Sequence, residues 1–502
     1  MTSVPDPTRR ALINAGGAAF LLNTIPVAAS YAQSATAPAP SAPTPPASAP
    51  KGPISPIANT FADYVANTLD RDLPATAAAD AKKHILDTLA AMVSGSRLKP
   101  GGLAARYVDD FGGKPQAMVV GTKIVTTAVN AAFANAMAAH SDETDDTNGR
   151  GTGHPGCGAI PAALATAELA GRSGNDFLRA VTLAYDVGLN MLAALGVGEN
   201  YAHYSPVCLN TTFIATAAAS ALMRLDQRQV RHAFSYAAQQ ASGLGYWNRD
   251  REHIEKAFDY GGMGARNGVM AATMVGFGFT GVEDCFSGNP SVFTSLGDKV
   301  APEKLVAGLG TNFAVSNTTI KKWSVGAPLQ SVLDSVAALL DDPGVRADNI
   351  KSIRIEMPTD SLRIVDNSTI PDLCAQHLVS LMIVDRGVTF ASVHEVARMS
   401  DPKVLAVRKL VDLVGSQELQ VARPQAQAIV SVETLDGRSL SRHTVVVRGR
   451  LGNPMNAQEV EAKALDLMTP VLGAGRANEL VAAIRDLENF GPVSGLRRLL
   501  QA

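Results

Sequence analysis

The sequence predicts a mainly α-helical protein that carries a second, smaller α+β part. From about Ile54 to Val300, apolar residues recur at helical spacing almost without interruption. Beyond Asn312, alternating segments typical of strands appear between shorter helices. Helical spacing returns from Ala457 to Leu500, and we expect this tail to pack back on the first part. The predicted units are a large helical domain at 54–315, completed by 456–502, and a small α+β domain at 316–455.

The first 53 residues are not expected to belong to the folded protein. Arg9 and Arg10 precede a weakly apolar run, and small residues follow it at Ser30-Tyr31-Ala32, a pattern typical of a twin-arginine export signal. The alternatives are a retained membrane anchor or a chance arginine pair, but the run is short and polar for a stable span. We therefore predict a signal at 1–32, a mobile Pro/Ala/Ser linker at 33–53, and a periplasmic protein.

The individual elements follow from the local pattern of apolar residues and turn formers. Helices are predicted at Ala75–Ser94, Gly174–Gly196, Thr211–Met223, Gln227–Ser242, Pro328–Leu340 and Gln376–Val384. Strands are predicted at Ile350–Met357, Gln425–Thr434 and His443–Val447, the last two joined by a hairpin turn at Leu435-Asp436-Gly437.

Composition narrows the class of protein. The chain has 502 residues, of which 46% are apolar and 18% charged, as is usual for a globular enzyme of two or three domains. The formal net charge of -2 excludes a general basic surface for nucleic acid. The four cysteines are widely spaced and form no CxxC pair, which favours buried thiols over a disulfide framework.

The segment from Met137 to Pro161 concentrates polar chemistry between two alanine-rich helices. It contains two histidines, the residues best suited to move protons near neutral pH. An alternative is that an acid merely caps a helix and His154 is a satisfied polar group. A second alternative is a metal site, although no compact ligand spacing such as HExxH is present. The candidate groups are His140, Asp142, Glu143, Asp145, Asp146 and His154.

Three further clusters carry candidate charged groups. His203 lies in a polar break before an apolar helix, where an ordinary helix start is the alternative. Lys256 precedes a glycine-rich turn, and Arg266-Asn267-Gly268 is expected to open the next helix. Glycines, a lysine and a helix N-terminus together favour anions, although a structural turn explains them equally. Lys321 lies where the helical part gives way to the α+β part. It is either a lysine that faces the cleft between the two parts or one of a solvated pair of basic residues.

Together these segments resemble the MmgE/PrpD family, which includes 2-methylcitrate dehydratase, cis-aconitate decarboxylase and iminodisuccinate epimerase. The resemblance runs from about Ile57 to the C-terminus and rests on three segments in family order. They are HSDETDDTN…GHPGCGAIPAALATAE, GARNGVMAATMVGFGFTG and KKWSVGAPLQSVLD. The resemblance implies a helical domain with an α+β lid, a homodimer, and chemistry on small polycarboxylates that needs neither cofactor nor metal.

The resemblance also assigns residues, position by position. His154 matches the catalytic loop histidine, and Lys256 lies near an active-site lysine, although its spacing to the glycines is shifted by one. Asp145, Asp146 and Thr147 match the family's DDT, His203 matches a further histidine, and Lys321 matches the lysine at the entry to the lid. The chain departs from the family pattern at three positions. Glu143 stands where some members have an aspartate, Gln330 where the family has a histidine, and His377 where it has a tyrosine.

We therefore expect a hydro-lyase that acts on a hydroxylated di- or tricarboxylate of the 2-methylcitrate type. His154 would transfer the proton, with Lys256, Lys321, Glu143, Asp145 and His203 as the other catalytic groups. Asp146, Thr147, Arg150, Arg266, Gln330 and His377 would contact or shape the substrate. The alternatives are an epimerase or decarboxylase, a non-catalytic exported polycarboxylate-binding protein, and a metallohydrolase.

Overall fold

The structure is a computed structural model that describes residues 53–148, 153–196, 204–297 and 299–502. The predicted export signal, and the linker up to residue 52, lie outside the described residues. The predicted mainly α class with a smaller α+β part is confirmed, because helices dominate and strands form only two small sheets in the part of the chain that the structure describes.

The helical part is built from long core helices joined by short connections. Its helices are α1 (Pro56–Ala66), α2 (Ala75–Gly95), α3 (Lys99–Phe111), α4 (Ala128–Ala139), α5 (Pro155–Leu169), α6 (Gly174–Leu195), α7 (Pro206–Leu222), α8 (Gln227–Gln240), α9 (Ile254–Ala257), α10 (Met263–Gly276) and α11 (Val292–Leu296). A short antiparallel pair, β1 (Ala117–Met118) and β2 (Val125–Thr126), interrupts them. The helix expected from Thr211 begins earlier, at Pro206, because proline at the first helical position loses no hydrogen bond.

Small residues let the central helices approach closely. In α5 every residue except Leu169 is buried. A Cβ atom at Gly264 of α10 would lie 2.1 Å from Thr211 Oγ1, and one at Gly268 would lie 2.5 Å from Ala215 Cβ on α7. The glycines therefore let α10 and α7 pack closely. α6 is long and apolar enough to cross a membrane, but 78% of its apolar window is buried inside the protein, as in a core helix.

The C-terminal helices return to the helical part. They are α18 (Ala457–Leu472), α19 (Ala474–Arg485) and α20 (Arg497–Leu500). Leu467 and Met468 of α18 belong to the same buried apolar cluster as Leu89 of α2. Lys463 of α18 adds an ion pair of 2.7 Å to Asp87 of α2. This packing links the end of the chain to the helix beside the acid-rich segment.

The α+β part has its own apolar core beneath one mixed sheet. The strand order is β4-β3-β5-β6, with β3 and β4 parallel and the other pairs antiparallel. The strands are β3 (Ile350–Pro358), β4 (Val411–Ser416), β5 (Ala428–Thr434) and β6 (Ser439–Thr444), and the helices are α12 (Gln330–Leu339), α13 (Thr359–Val365), α14 (Ala375–Asp385), α15 (Phe390–His394), α16 (Pro402–Arg408) and α17 (Gln417–Val421).

Two predictions for this sheet need correction. The strand predicted at His443–Val447 is wrong in position, because the ladder with β5 is formed by Ser439–Thr444. The apolar residues Val445–Val447 follow the end of β6, and just beyond them the backbone N–H of Arg448 donates to the Asp334 side chain (Oδ2, 2.7 Å) and not to a strand. The edge strand β4 was not predicted, because its parallel partner β3 lies far away in sequence and no hairpin turn joins them. The four cysteines are free thiols; Cys157, Cys208 and Cys374 are buried, as predicted, and Cys285 is only partly buried.

Candidate active site

The acid-rich segment lies between the end of α4 and the start of α5. We call residues 140–148 the acid loop. His140 ends α4, and His154 stands immediately before Pro155, the first residue of α5. His140 and Asp145 have no exposed surface, and His154 is 4% exposed. The segment therefore lies between two helices, as predicted, and its side chains are buried.

Asp145 holds the two histidines that flank the loop. His154 Nδ1 lies 3.0 Å from Asp145 Oδ2, and His140 Nδ1 lies 3.0 Å from the same oxygen. Burial raises the pKa of the Asp145 carboxyl, but His140 and His154 outweigh burial and hold that pKa well below its usual range. The carboxylate therefore accepts the Nδ1 proton of His154 and leaves Nε2 as the nitrogen that exchanges protons.

Glu143 is held between two lysines from distant parts of the chain. Lys256 Nζ forms an ion pair with Glu143 Oε1. Lys321 Nζ donates to the Glu143 carbonyl at 2.7 Å and lies 3.7 Å from Oε2. Burial raises the pKa of the Glu143 carboxyl, but the two ammonium groups outweigh it and hold that pKa well below its usual range. Glu143, which stands where some family members have an aspartate, is therefore ionised and paired with Lys256 and Lys321.

The two lysines differ in access. Lys321 has no exposed side-chain surface and also lies 3.7 Å from Asp145 Oδ1. Burial lowers the pKa of Lys321, but Asp145 and Glu143 outweigh burial and raise it, so the ammonium keeps its charge. Lys256 is 16% exposed. In this geometry the buried Lys321 neutralises the negative charge of the Glu143 and Asp145 carboxylates. Lys256 is the ammonium group that a substrate carboxylate can reach.

Asp146 organises the start of α5 and faces away from open space. His84 Nδ1 and the Tyr185 hydroxyl both donate to Asp146 Oδ2 at 2.6 Å. The N–H of Gly156 donates to Asp146 Oδ1 at 2.9 Å. All of these contacts are buried, so Asp146 positions the helix start that carries His154 and is not placed to touch a substrate.

Thr147 joins the acid loop to the segment that carries Lys321. Its N–H donates to the Thr319 carbonyl at 3.0 Å, and the N–H of Thr319 donates back at 2.9 Å. The Thr147 hydroxyl is buried and has no hydrogen-bond partner among the described residues. This two-bond bridge explains how residues 172 positions apart in sequence reach one site, and it leaves the hydroxyl free for a ligand.

Two predicted substrate contacts have other partners, and a third is buried within the α+β part. The Arg266 guanidinium donates to Asn267 Oδ1 and lies 5.8 Å from the centre of the Phe258 ring. The Gln330 amide is used by the backbone of Trp323 and Val325. His377 is fully buried on α14, and desolvation lowers its pKa to about 4. Arg150 and His203 lie outside the described residues.

The turn expected after Lys256 is absent from this described stretch, and a continuous helical segment takes its place. A π-helical turn at Phe258–Gly262 joins α9 to α10. Arg266 therefore lies inside a helix and does not open one, which removes the predicted helix N-terminus as an anion site. A π-turn accommodates one more residue than an α-turn.

Several residues at the site were not found by sequence reasoning. His394 of α15 reaches across to Asp142 Oδ2 at 3.0 Å. His253 lies 4.0 Å from Glu143 Oε1, and burial, aided by Lys256, lowers its pKa to about 3. Lys463 donates to the Thr144 carbonyl at 3.0 Å. None of these belongs to a local motif, and their sequence distance from the loop hides them.

Two groups of donor atoms have the spacing of metal ligands. Donor atoms of His140, Asp145 and His154 lie within 4.8 Å of one another, as do those of His140, Glu143 and His253. The ammonium groups of Lys256 and Lys321 already balance the carboxylates of both groups. A dication there would meet two fixed positive charges, so the geometry favours proton transfer over metal binding.

The chain matches both halves of a two-domain enzyme architecture. Residues 59–303 match the model of the MmgE/PrpD N-terminal domain, and residues 323–489 match that of the C-terminal domain. These matches cover most of the chain, which therefore belongs to the MmgE/PrpD family.

Relatives with curated names are cis-aconitate decarboxylases. The human enzyme of that name is 24% identical over 443 residues, 84% of this chain and 89% of its own. The cis-aconitate decarboxylase-like protein oryM of Aspergillus oryzae is 23% identical over 473 residues, 87% of this chain and 96% of its own. Decarboxylases are lyases, so these relatives support a lyase-type function in general and not a hydro-lyase in particular.

Proposed function

We propose that the protein is a lyase that acts on a small polycarboxylate without a cofactor. The observation that carries this proposal is the buried pairing of His154 with Asp145, next to the ammonium groups of Lys256 and Lys321. A histidine oriented by a carboxylate can move a proton, and fixed positive charge stabilises a carbanion beside a carboxylate. Both requirements meet within one cluster.

The first candidate reaction is the dehydration that the sequence predicts. His154 Nε2 takes a proton from the carbon beside a substrate carboxylate, and the electron pair forms the double bond. The C–O bond on the next carbon breaks, and the protonated His154 returns its proton to the leaving oxygen, so that water departs and the neutral imidazole is restored. Lys256 shares its charge between Glu143 and the substrate carboxylate, which lowers the cost of the negative charge that develops.

Decarboxylation is the second candidate, and the names of the curated relatives favour it. The C–C bond to a carboxylate breaks, CO2 leaves, and the electron pair stays on the carbon. The protonated form of His154 then delivers a proton to that carbon. The same cluster serves both reactions because each places negative charge beside a carboxylate, and only the leaving group differs.

Two further expectations complete the proposal. Export through the twin-arginine route is supported by Arg9 and Arg10. A homodimer is supported by the family resemblance and by exposed apolar side chains beyond α10, where Phe277 is 87% and Val282 is 60% exposed. Fractionation of cells that express the full chain tests the first, and light scattering on the purified protein tests the second.

Proton NMR in D2O tests the reaction. The purified protein is incubated with hydroxylated, amino-substituted and unsaturated di- and tricarboxylates, with and without a chelator. An alkene from a hydroxylated substrate identifies a hydro-lyase, and loss of one carboxylate as CO2 identifies a decarboxylase. Deuterium exchange without a new product identifies an epimerase. Activity lost to the chelator would favour a metallohydrolase, and binding without turnover a binding protein.

A further inference from the structure

A phenol that belongs to no predicted motif lies at the centre of the cluster. Tyr260 is 5% exposed, and its ring stacks on His140 with centres 4.4 Å apart and planes at 18°. The His154 ring centre is 5.0 Å away. Lys256 Nζ lies 5.0 Å from the Tyr260 ring centre. The phenol is therefore next to both the proton-transfer residue and the accessible ammonium group.

The π-turn places this ring. Tyr260 is the third residue of the turn at Phe258–Gly262. The next two residues press against α4: a Cβ atom at Gly261 would lie 2.5 Å from the Ala136 carbonyl oxygen, and one at Gly262 would lie 2.7 Å from Met137 Sδ. Because α4 ends at His140, this close approach brings the tyrosine onto the histidine that begins the acid loop. π-turns inside helices occur frequently at functional sites.

The hydroxyl is a donor at any working pH. Burial raises the pKa of Tyr260 well above its usual range, and the charges of Glu143, Asp259 and Asp145 add to this effect. The same charges show that the ring is close to the acids of the cluster.

We propose that Tyr260 is a further catalytic residue, whose hydroxyl donates a hydrogen bond to the substrate carboxylate beside the reacting carbon. The proposal rests on the proposed lyase function and adds a group to it. His154 moves the proton, Lys256 supplies charge, and Tyr260 supplies a fixed neutral donor from the same face of the helical segment that carries Lys256. A neutral donor stabilises the negative charge that develops on the substrate. It adds no positive charge to the cluster, in which Glu143 and Asp145 already balance the two lysines.

Steady-state kinetics on Tyr260→Phe tests this role, because that change removes the hydroxyl and keeps the ring. With the best substrate of the NMR panel, kcat/KM should fall by about 10- to 100-fold, the range for a lost hydrogen bond to a charged group. The thermal midpoint should stay unchanged, since the stacking on His140 remains. Tyr246→Phe is the matched control, because Tyr246 is 47% exposed and should keep full activity.

A second variant, Gly261→Ala, tests the same role in case Tyr260→Phe does not fold. Gly261→Ala keeps the phenol but forces the π-turn away from α4, so it should also lower kcat/KM while the protein stays folded. Wild-type activity in Tyr260→Phe, with activity abolished in His154→Ala, overturns the role of Tyr260 and leaves the lyase function standing. Absence of turnover by the wild-type protein across the panel overturns both.

Discussion

Replacing His394 with glutamine should remove an ion pair that connects the α+β part to the acid loop. His394 Nδ1 donates to the Phe390 carbonyl at 2.9 Å, and Nε2 lies 3.0 Å from Asp142 Oδ2. Burial lowers the pKa of His394, but Asp142 outweighs burial and Asp372 adds to it, which raises the pKa from 6.5 to about 9. Both ring nitrogens therefore carry protons at neutral pH.

The rise in the pKa of His394 sets both the size of the stability loss expected in His394→Gln and the pH range in which it appears. A rise from 6.5 to about 9, at about 1.4 kcal/mol for each pH unit, corresponds to about 3 kcal/mol of stability as an upper limit. Because the folded pKa is the higher one, this contribution is complete below pH 6.5 and is lost as the pH rises through about 9. Glutamine keeps a donor but no charge, so its deficit should follow the same window.

Urea denaturation of wild type and His394→Gln at pH 6 and pH 10 measures this effect. The difference in the free energy of unfolding should be about 1–3 kcal/mol at pH 6 and close to zero at pH 10. His443→Gln is the control, because this exposed histidine contacts the Gln427 side chain and forms no ion pair with a carboxylate among the described residues. A deficit of equal size at both pH values would refute the assignment of the ion pair.

Three other substitutions test separate parts of the cluster. Asp145→Asn removes the acceptor of the His154 Nδ1 proton, so kcat should fall by about 10²–10⁴-fold at unchanged circular dichroism, and full activity would contradict the pairing. Lys321→Met removes the buried ammonium that lies between the Glu143 and Asp145 carboxylates, and should lower the free energy of unfolding by about 3–5 kcal/mol at pH 7. That deficit should be complete above about pH 4 and should shrink below it, as the pH falls through the depressed folded-state pKa values of Glu143 and Asp145; a constant deficit would contradict it. Lys463→Met removes a donor to a loop carbonyl and should speed hydrogen exchange in residues 140–148, and unchanged exchange would show that α18 does not hold the loop.

The long core helices could be predicted because their apolar residues repeat at helical spacing over many turns. The acid loop could be predicted as a site because its groups are neighbours in sequence, so no tertiary information is needed to bring His154 and Asp145 together. Lys256 and Lys321 could be placed only through the family resemblance, since they lie 113 and 178 residues from Glu143.

The remaining parts depend on packing that a single sequence does not encode locally. The π-turn that presents Tyr260 arises where Gly261 and Gly262 meet α4, and a glycine pair alone predicts a loop equally well. His394 and Lys463 reach the loop from the α+β part and from α18, which no spacing rule connects to it. Gln330 looked like a substrate contact, but its amide is used by the neighbouring backbone.

The most direct test of the central claim is hydrogen exchange at the carbon beside a substrate carboxylate, followed by proton NMR in D2O for wild type and His154→Asn. Wild type should place deuterium at that carbon, during exchange or product formation. In His154→Asn, shown to be folded by circular dichroism, the rate of incorporation should fall by about 10²-fold or more. Deuterium incorporation at the wild-type rate in His154→Asn would contradict the claim that the His154–Asp145 pair moves the proton.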